Sequence, residues 1–431
     1  MRILLPLLAL LLPLPASAQV APNPARLQAD VDTLVGFGTR HTLSYTESPT
    51  RGIGAARRWA TAELMRIGDA CGGCIEVATI GRTFTGPRAP NGVEVVDVLG
   101  FQKGVDSKRV VIVMAHIDSR VTDALNFTSD APGANDNASG SALVLEAARI
   151  LSKERFQATI VYALVSGEEQ GLWGGQLLAE TAKEKGWEVL AVLNNDIVGN
   201  TIGQDGKQQN KHVRVFSEGI RASESMEEQT ARRANGGEDD GPSRALAKAI
   251  DGIAGTIPGG LDVFVDRRPD RFGRGGDHIP FLALGYPAVR FSVAAENWDA
   301  QHQDLRTVDG RVYGDTPDRM DFPYLAKVTA INVATIRRLA NAPSAPARVV
   351  LKGDLSFDTN VTWAAVPGAV KYRIHWRRND GQNWTSHKDV TGTEAVLANV
   401  PVDDNFIGVS AIAANGSESL VTFGGRETVR R

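Results

Sequence analysis

The sequence predicts two folded units, an α/β unit with a mostly parallel central sheet flanked by helices and a small all-β sandwich. Over most of the 431 residues, short apolar runs alternate with amphipathic helical stretches, as is typical of parallel strands buried between helices. After a Pro-rich stretch, Asn341–Pro346, apolar residues recur with period two between Pro and Gly turns. That second pattern favours an antiparallel sandwich over residues 347–431.

Composition places the chain among ordinary globular proteins. The 47 Lys and Arg residues nearly balance the 50 Asp and Glu residues, so the net charge is −3, and 42% of the residues are hydrophobic. A broad surface for nucleic acid or an anionic membrane would need a clustered excess of Lys and Arg, so the sequence predicts neither partner. Two cysteines cannot form a disulfide scaffold, and a chain of this length can bury a sufficient core without one.

Residues 1–18 have the organisation of a secretory signal peptide. Arg2 precedes an apolar run over residues 3–14, and the small residues Ala16, Ser17 and Ala18 follow. The run is shorter than the roughly 20 residues that a membrane span requires, and no later segment supplies a span. We therefore expect cleavage after Ala18 and a soluble protein that is secreted or periplasmic.

Cys71 and Cys74 form a Cys-Gly-Gly-Cys sequence that several chemistries could use. Such a pair can be a redox motif, half of a zinc site or a small disulfide, and it can also stay reduced and chemically idle. No second pair is present to complete a four-thiolate zinc site, and an oxidising compartment favours the bond. We therefore predict a local disulfide.

The α/β unit is predicted over residues 19–341, and its elements follow one another in a regular order. Apolar residues at helical spacing predict helices at residues 54–67, 137–153, 172–185 and 322–339. Apolar runs typical of buried strands predict strands at residues 110–115, 159–165 and 189–193, and residues 261–265, 281–284 and 288–292 are predicted to return to the core. Residues 203–244, rich in Gly, Gln, Glu, Asp and Lys, interrupt this order, so we predict an insertion or lid there. Residues 342–346 are predicted to be a linker.

The second unit, residues 347–431, contains short runs in which aromatic and aliphatic residues alternate with polar ones. Tyr372, Ile374 and Trp376 share one face of such a run. The stretch VTWAAVPGAVKYRIHWR resembles a fibronectin type III module, in which these aromatic residues are structural. We therefore expect Trp and Tyr here to fill a core rather than to bind a ligand.

Acidic and imidazole residues stand directly after three of the predicted strands. His116 follows the first strand, Glu168 and Glu169 follow the second, and Asp196 follows the third. Because the loops at the carboxyl ends of parallel strands meet at one edge, these side chains are expected to converge with Asp136, which starts a helix. Several carboxylates and an imidazole crowd together only where cations neutralise them. Oxygen and nitrogen donors without thiolate predict catalytic zinc, manganese or cobalt, and two such ions would share one bridging carboxylate.

Six motifs between residues 110 and 305 resemble those of the co-catalytic zinc aminopeptidases. These bacterial leucyl aminopeptidase-like enzymes belong to a superfamily that also contains glutaminyl cyclases and glutamate carboxypeptidases. The motifs are AHIDS, PGANDNASG, SGEEQG, NND, GGDHIPF and ENWDAQHQD. The resemblance implies a zinc exopeptidase fold with two zinc ions per chain, which activate a bridging water to release the N-terminal residue of a peptide.

The resemblance also implies a role for each matching residue. His116 and Asp196 would bind one zinc ion, and Glu169 and His302 would bind the other. Asp136 would bridge the two ions.

Further residues of these motifs receive supporting roles from the resemblance. Glu168 would be the general base, and Asp118 would be the carboxylate that orients the first histidine ligand. Asp277 and His278 would be pocket residues behind the metal ligands. The family form of the last motif is Asn-Tyr-His-Thr, whereas this chain reads Asn-Trp-Asp-Ala-Gln-His over residues 297–302.

The sequence therefore predicts an exported metallo-aminopeptidase whose cofactor is zinc and whose substrates are peptides with a free N-terminus. Serine, phosphate-loop and HExxH chemistry lack support, because the motifs GxSxG, GxxxxGK[ST] and HExxH do not occur. A single-zinc glutaminyl cyclase is one alternative, and a catalytically inactive binding ectodomain is another. The full set of ligand types argues against the inactive protein, since crowded charges are costly to keep. The sequence predicts neither the side-chain preference nor the oligomeric state.

Overall fold

The computed structural model describes residues 21–426. The predicted signal peptide, residues 1–18, lies outside the described residues, so its presence and its cleavage stay predictions. Among the helices of residues 21–426, none combines the length and the apolar composition that crossing a membrane would require.

The first unit alternates helices and strands through most of its length. Its helices are α1 (Pro24–Gly36), α2 (Gly52–Ala70), α3 (Ser139–Leu151), α4 (Glu168–Gly171), α5 (Trp173–Glu184), α6 (Met226–Ala234), α7 (Pro242–Ala254), α8 (Ile279–Ala283) and α9 (Phe322–Asn341). Its strands are β1 (Ile75–Gly86), β2 (Ala89–Gln102), β3 (Asp106–His116), β4 (Ala158–Val165), β5 (Glu188–Asn195), β6 (His212–Phe216), β7 (Asp262–Asp266), β8 (Ala288–Val293), β9 (Arg306–Val308) and β10 (Arg311–Tyr313). Short helical turns cover Ala134–Ala138, Gly237–Asp239 and Pro317–Arg319.

Strands β1 to β8 form one sheet in the order β1-β2-β4-β3-β5-β8-β6-β7. The pairs β3-β4, β3-β5, β5-β8 and β6-β7 are parallel. The antiparallel pairs are β1-β2, which form a hairpin, β2-β4 and β6-β8. The predicted α/β class is confirmed, with the parallel pairs at the centre of the sheet and a long hairpin at one edge that the sequence did not predict.

The central strands are buried on both faces, which explains their continuous apolar sequence. In β3, Val111 and Val113 face a core shared with α1, α2, α3 and α9, whereas Val110, Ile112 and Met114 face a second core shared with α5 and α8. Every residue of β4 is buried. Because helices cover both faces, a ligand can approach only at the edge where the carboxyl ends of β3, β4 and β5 meet.

The prediction of an insertion or lid at residues 203–244 is wrong for its central part. His212–Phe216 forms β6, which lies between β8 and β7 inside the main sheet. Val213 and Val215 are buried and alternate with partly covered polar residues, so this short strand lacks the continuous apolar run of its neighbours. Helix α6, which has no buried residue, follows, and the backbone after it packs against Phe423 of the second unit.

The second unit is a sandwich of two antiparallel sheets. Its strands are β11 (Val349–Lys352), β12 (Thr359–Trp363), β13 (Lys371–Arg378), β14 (Ser386–Val390), β15 (Glu394–Leu397), β16 (Asn405–Ile412) and β17 (Thr422–Phe423). One sheet has the order β11-β12-β15 and the other the order β14-β13-β16-β17. Trp363 and Tyr372 are buried between the sheets with 5.3 Å between their ring centroids, so both are core residues. The fibronectin type III assignment stays a prediction.

The two units meet through a buried ion pair. Arg377 of β13 donates to Asp240, which precedes α7, at 2.6 Å, and the two side chains are only 2% and 4% exposed. Lys248 of α7 also lies 2.9 Å from Asp240. Residues 342–346, the predicted linker, connect α9 to β11 over a short distance in sequence. The sandwich is therefore held to the α/β unit by charge as well as by the chain.

Cys71 and Cys74 are joined by a disulfide directly after α2 ends. Gly72 and Gly73, which lie between them, both have positive φ angles of 77° and 86°. Glycine adopts these angles without steric cost, so this tight loop requires the two glycines. The pair is bonded to itself and is not half of a metal site.

Candidate metal centre

Two strand ends and one helix start bring a first group of predicted ligands together. His116 is the last residue of β3, and Asp196 directly follows β5. Nε2 of His116 lies 3.3 Å from Oδ1 of Asp136 and 3.6 Å from Oδ1 of Asp196. All three side chains are buried, and their donor atoms lie within 4.8 Å of one another, so this group could hold a metal ion.

Asp136 also belongs to a second group. Its other oxygen, Oδ2, lies 2.9 Å from Nε2 of His302, and that nitrogen lies 3.1 Å from Oε1 of Glu169. Glu169 comes from α4, directly after β4, whereas His302 lies in the loop between β8 and β9 with a positive φ of 56°. Asp136 therefore turns one oxygen toward each histidine. We call the two groups together the metal centre, which consists of His116, Asp136, Glu169, Asp196 and His302.

The loop that carries Asp136 is held by two charged side chains that sequence reasoning missed. Asp315 accepts hydrogen bonds from the backbone N–H groups of Asn135 at 3.0 Å and Asp136 at 2.7 Å. Arg40, which is fully buried, donates to the two carbonyl oxygens that precede the loop, at 2.7 and 2.9 Å. Burial raises the pKa of Asp315 to about 6. An isolated Asp and an isolated Arg carry no sequence signal, because their role depends on contacts between distant segments.

Asp118 stands behind the first histidine and also contacts the second group. Nδ1 of His116 lies 3.1 Å from the backbone oxygen of Asp118 and 3.6 Å from its Oδ1. Oδ2 of Asp118 accepts from Oγ1 of Thr42 at 3.0 Å and from the backbone N–H of Glu169 at 3.2 Å. Because Nδ1 is occupied by this contact, Nε2 is the ring nitrogen of His116 that faces the metal centre.

The charges of the metal centre favour a cation between its side chains. Burial alone would lower the pKa of His116, but contacts with three neighbouring aspartates raise it well above that of a free histidine. Burial alone would raise the pKa of Asp136, but the charge of His302 and the close approach of both histidines hold it well below its usual range. Nε2 of His116 and Oε1 of Glu169 are buried and lack a hydrogen-bond partner within residues 21–426. Buried unpartnered atoms around a shared carboxylate fit bound metal ions.

Arg120 lies against the second group. Its Nε donates to Oε2 of Glu169 at 2.8 Å, which leaves Oε1 for a metal ion, and its Nη2 lies 2.6 Å from Nδ1 of His302. A guanidinium group only donates hydrogen bonds, so Nδ1 accepts here and the ring proton lies on Nε2, between the carboxylates. A metal ion on Nε2 would require that proton to leave this nitrogen.

Glu168 lines the cavity above the metal centre but is a member of neither group. It begins α4 directly before Glu169. Desolvation raises the pKa of Glu168 well above that of a free glutamate, the charge of His116 opposes this rise, and nearby carboxylates such as Asp196 add to it. A carboxyl group with a raised pKa accepts a proton more readily than a free glutamate does and can return it later.

Asp277 and His278 lie outside both groups, although the resemblance places them near the ligands. Asp277 is fully buried, its Oδ1 accepts from the backbone N–H of Gly175 at 3.0 Å, and burial raises its pKa to about 7. His278 directly precedes α8, and its Nε2 donates to the backbone oxygen of Pro269 at 2.7 Å. These contacts position α5, α8 and the preceding loop, so the two residues support the cavity wall.

The metal centre forms the floor of a cavity of about 670 Å³. Four arginines, which sequence reasoning also missed, line this cavity. They are Arg88, Arg120, Arg271 and Arg274. Arg88 reaches in from the β1–β2 turn and donates to the backbone oxygen of Glu169 at 2.6 Å. Loop arginines have no periodic spacing, and of these four only Arg120 directly follows one of the quoted motifs, AHIDS.

An open α/β sheet with a two-group metal centre at its strand ends defines the class of the protein as a candidate metal-dependent hydrolase. Residues 97–321 match the peptidase family M28, and the chain belongs to this family. The chain is 41% identical over 407 residues to a probable zinc metalloprotease of Leptosphaeria maculans, which covers 93% of this chain and 94% of that relative. The family resemblance of the sequence motifs is thereby confirmed.

Solved structures with little sequence identity share the fold. The aminopeptidase from Aneurinibacillus sp. strain AM-1 matches 74% of this chain and 95% of its own, with a TM-score of 0.53 and 14% identity. The glutaminyl cyclase of Porphyromonas gingivalis matches 74% of this chain and 99% of its own, with a TM-score of 0.52 and 17% identity. At these identities the likeness concerns the fold alone, and it confirms the predicted exopeptidase-like architecture.

Proposed function

We propose that this member of the peptidase family M28 is an exported zinc aminopeptidase that removes the N-terminal residue of peptides. One observation carries the proposal, namely that two candidate metal-binding groups share Asp136 at the floor of an open cavity. The name of the L. maculans relative supports zinc, and the solved aminopeptidase with this fold supports release of a single residue. The predicted signal peptide supports export.

The metal centre would hold two zinc ions. His116 and Asp196 would hold one ion, Glu169 and His302 would hold the other, and Asp136 would contribute to both sites. Imidazole and carboxylate ligands without thiolate are typical of catalytic zinc. Bound zinc would polarise the scissile carbonyl group and lower the pKa of the attacking water.

Glu168 provides the proton transfer that peptide hydrolysis needs. Its carboxylate lines the cavity and is not engaged by the metal ligands, so it can reach a water molecule above them. Burial raises the pKa of Glu168 well above that of a free glutamate, which makes its carboxylate a stronger base. Glu168 therefore takes a proton from the attacking water and returns it to the leaving amine.

The free amine of the substrate binds close to the scissile bond. Among residues 21–426, the carboxylates that line the cavity are those of the metal centre and Glu168, so an ammonium group finds these negative partners at the cavity floor. An amine held there leaves room for one residue before the cleaved bond. This arrangement restricts cleavage to the first residue.

The variant Glu168→Gln tests the assignment of the base. We expect it to bind zinc like the wild type but to lose about 10²–10⁴-fold in kcat on leucine para-nitroanilide, because an amide cannot accept the proton. Glu184→Gln is the matched control, since Glu184 lies at the exposed end of α5 with a side chain that is 70% exposed. Wild-type turnover by Glu168→Gln would exclude Glu168 as the base.

A glutaminyl cyclase-like enzyme is the alternative, and the shared fold with the P. gingivalis cyclase keeps it open. Metal analysis of the zinc-dialysed protein separates the two, because the aminopeptidase should contain two zinc ions per chain and the single-zinc cyclase one. An aminopeptidase should also cleave leucine para-nitroanilide but not its N-acetyl derivative. A protein that binds zinc yet cleaves no peptide bond would contradict the proposed function.

A further inference from the structure

One wall of the cavity is organised around a single carboxylate that contacts three arginines. Glu296 accepts from Arg214 at 2.8 Å and from Arg274 at 2.8 Å, and Nη1 of Arg271 lies 3.5 Å from it. The Glu296 side chain is only 7% exposed. One negative charge cannot neutralise three positive charges, so this wall keeps an excess of positive charge.

Neighbouring acids do not remove this excess. Arg271 contacts Asp270 at 2.9 Å, but Asp270 also pairs with the buried Arg290, which pairs in turn with Asp196 of the metal centre at 3.1 Å. The network contains four guanidinium groups against three carboxylates, and one of these carboxylates faces the metal site. We call its two cavity-lining members, Arg271 and Arg274, the arginine wall.

Arg274 is the part of the arginine wall that a substrate can contact. Its side chain is 35% exposed at the cavity surface. The Arg271 side chain is only 9% exposed and is fixed by Asp270 and by the backbone oxygen of Gly275. Arg271 therefore adds a fixed positive charge behind Arg274.

Gln301 shows how near Arg274 lies to the metal centre. One terminal atom of its amide lies 3.3 Å from Oδ2 of Asp136. When the amide is oriented so that its nitrogen donates to Glu296, this atom is the amide oxygen, and it accepts from Nη2 of Arg274 at 3.0 Å. The distance from Nη2 of Arg274 to Oδ2 of Asp136 is therefore at most the sum of these two contact distances. Consecutive residues of a peptide are about 3.8 Å apart, so Arg274 is close enough to bind a group of a residue next to the scissile bond.

We propose that Arg274, supported by Arg271, is a carboxylate subsite, and that the enzyme prefers substrates with a carboxylate beside the scissile bond. This inference rests on the proposed peptidase activity and names its substrate class. The carboxylate can be the acidic side chain of the N-terminal residue or the free C-terminal carboxylate of the following residue, as in a dipeptide. A guanidinium group binds either one with charge-assisted hydrogen bonds.

Paired substrates distinguish the two sources. Glutamate and glutamine para-nitroanilides differ by the side-chain charge, and leucyl-leucine and leucyl-leucinamide differ by the C-terminal charge. We expect kcat/KM to favour the charged member of at least one pair by about 10-fold or more, as for a hydrogen bond to a charged group. Arg274→Gln should bring that ratio close to one, chiefly through KM.

Arg268→Gln is the matched control, because Arg268 lies in the same loop, stacks on Phe272 at 5.5 Å and does not line the cavity. This control should keep the wild-type ratio. A wild-type enzyme that shows no charge preference in either pair would overturn the subsite while leaving the peptidase activity intact. A preference that survives in Arg274→Gln would overturn it as well.

A binding measurement keeps the subsite testable if the zinc-loaded protein cleaves none of these substrates, in which case the proposed function fails. Calorimetric titration of the zinc-loaded protein with glutarate and with its uncharged diamide is the probe. Tighter binding of glutarate that is lost in Arg274→Gln would support the carboxylate subsite. Equal binding of the two compounds, or glutarate binding that Arg274→Gln leaves unchanged, would overturn it.

Discussion

At the residue scale, the two histidines of the metal centre have different surroundings. His116 has Nδ1 against the backbone oxygen of Asp118 and Nε2 between two aspartates, so both ring nitrogens face acceptors. The resulting rise in its pKa means that the ring carries a positive charge near neutral pH when no metal is bound. His302 instead has a donor, Arg120, at Nδ1, and at its Nε2 the charges of Glu169 and Asp136 outweigh the effect of burial and raise its pKa to about 10. Protonated His116 thus supplies part of the positive charge that the carboxylates require.

Zinc binding near neutral pH should release at least one proton, because the ring of His116 must lose its Nε2 proton before it can bind a metal ion. Its pKa is raised, so zinc competes with a proton at every pH below that pKa. Zinc affinity should therefore rise with pH, by roughly tenfold per pH unit for each proton released. Calorimetry in two buffers with different ionisation enthalpies measures the number of protons.

The variant His212→Gln, on β6 and 30% exposed, is the control and should release the same number of protons as the wild type. Equal heats of zinc binding in the two buffers would show that the His116 ring is neutral in the metal-free protein.

At the element scale, the strands that the sequence predicted are those buried on both faces of the sheet. Strands β3, β4 and β5 are covered by helices on both faces, so their sequences are continuously apolar, and the polar residues that follow them mark the site. Strand β6 has only alternating apolar positions within a polar segment and was missed. The His302 loop and the arginine wall have no regular secondary structure, so only the family motif pointed to His302, and nothing pointed to Arg274.

The Asp136 loop depends on a contact between elements that the sequence could not predict. Asp315→Asn keeps the size of the side chain but removes its charge and one of its two acceptor oxygens, so it can no longer hold the N–H groups of Asn135 and Asp136 equally well. We expect zinc affinity to fall by about 10–100-fold, as is usual when a partner of a metal ligand is lost. Competition with a chromogenic chelator measures this affinity.

Asp318→Asn is the matched control, because Asp318 lies nearby in the turn Pro317–Arg319 and is exposed. It should bind zinc like the wild type. If Asp315→Asn did so too, the loop would not need Asp315 to present Asp136.

At the scale of the whole molecule, the sandwich and the α/β unit share buried charges. Asp240 forms ion pairs with Arg377 of the sandwich and with Lys248 of α7, so one carboxylate contacts cations of both units. On the other side of the interface, Arg338 of α9 donates to the backbone oxygen of Glu418 at 3.0 Å. These contacts make the sandwich part of the folded body, and the stability of the protein should depend on them.

Asp240→Asn should lower the free energy of unfolding by about 3–5 kcal/mol, because it leaves Arg377 buried without a counter-charge. Arg377→Met should cost less, since Lys248 still neutralises Asp240 at 2.9 Å. Urea unfolding measures both values. Arg378→Met is the control, because the Arg378 side chain is 69% exposed, and it should change the stability by less than about 0.5 kcal/mol. A larger loss for Arg377→Met than for Asp240→Asn would contradict this order.

The position of Asp136 has a consequence for how the proposed zinc ions would load. An ion on one oxygen of this carboxylate changes the electron density on the other oxygen, so the two binding events would be thermodynamically coupled. The first ion would alter the dissociation constant of the second by some factor, and the second would alter that of the first by the same factor. Zinc titrations of this protein would then require a cooperativity constant, and a half-loaded species would have properties of its own.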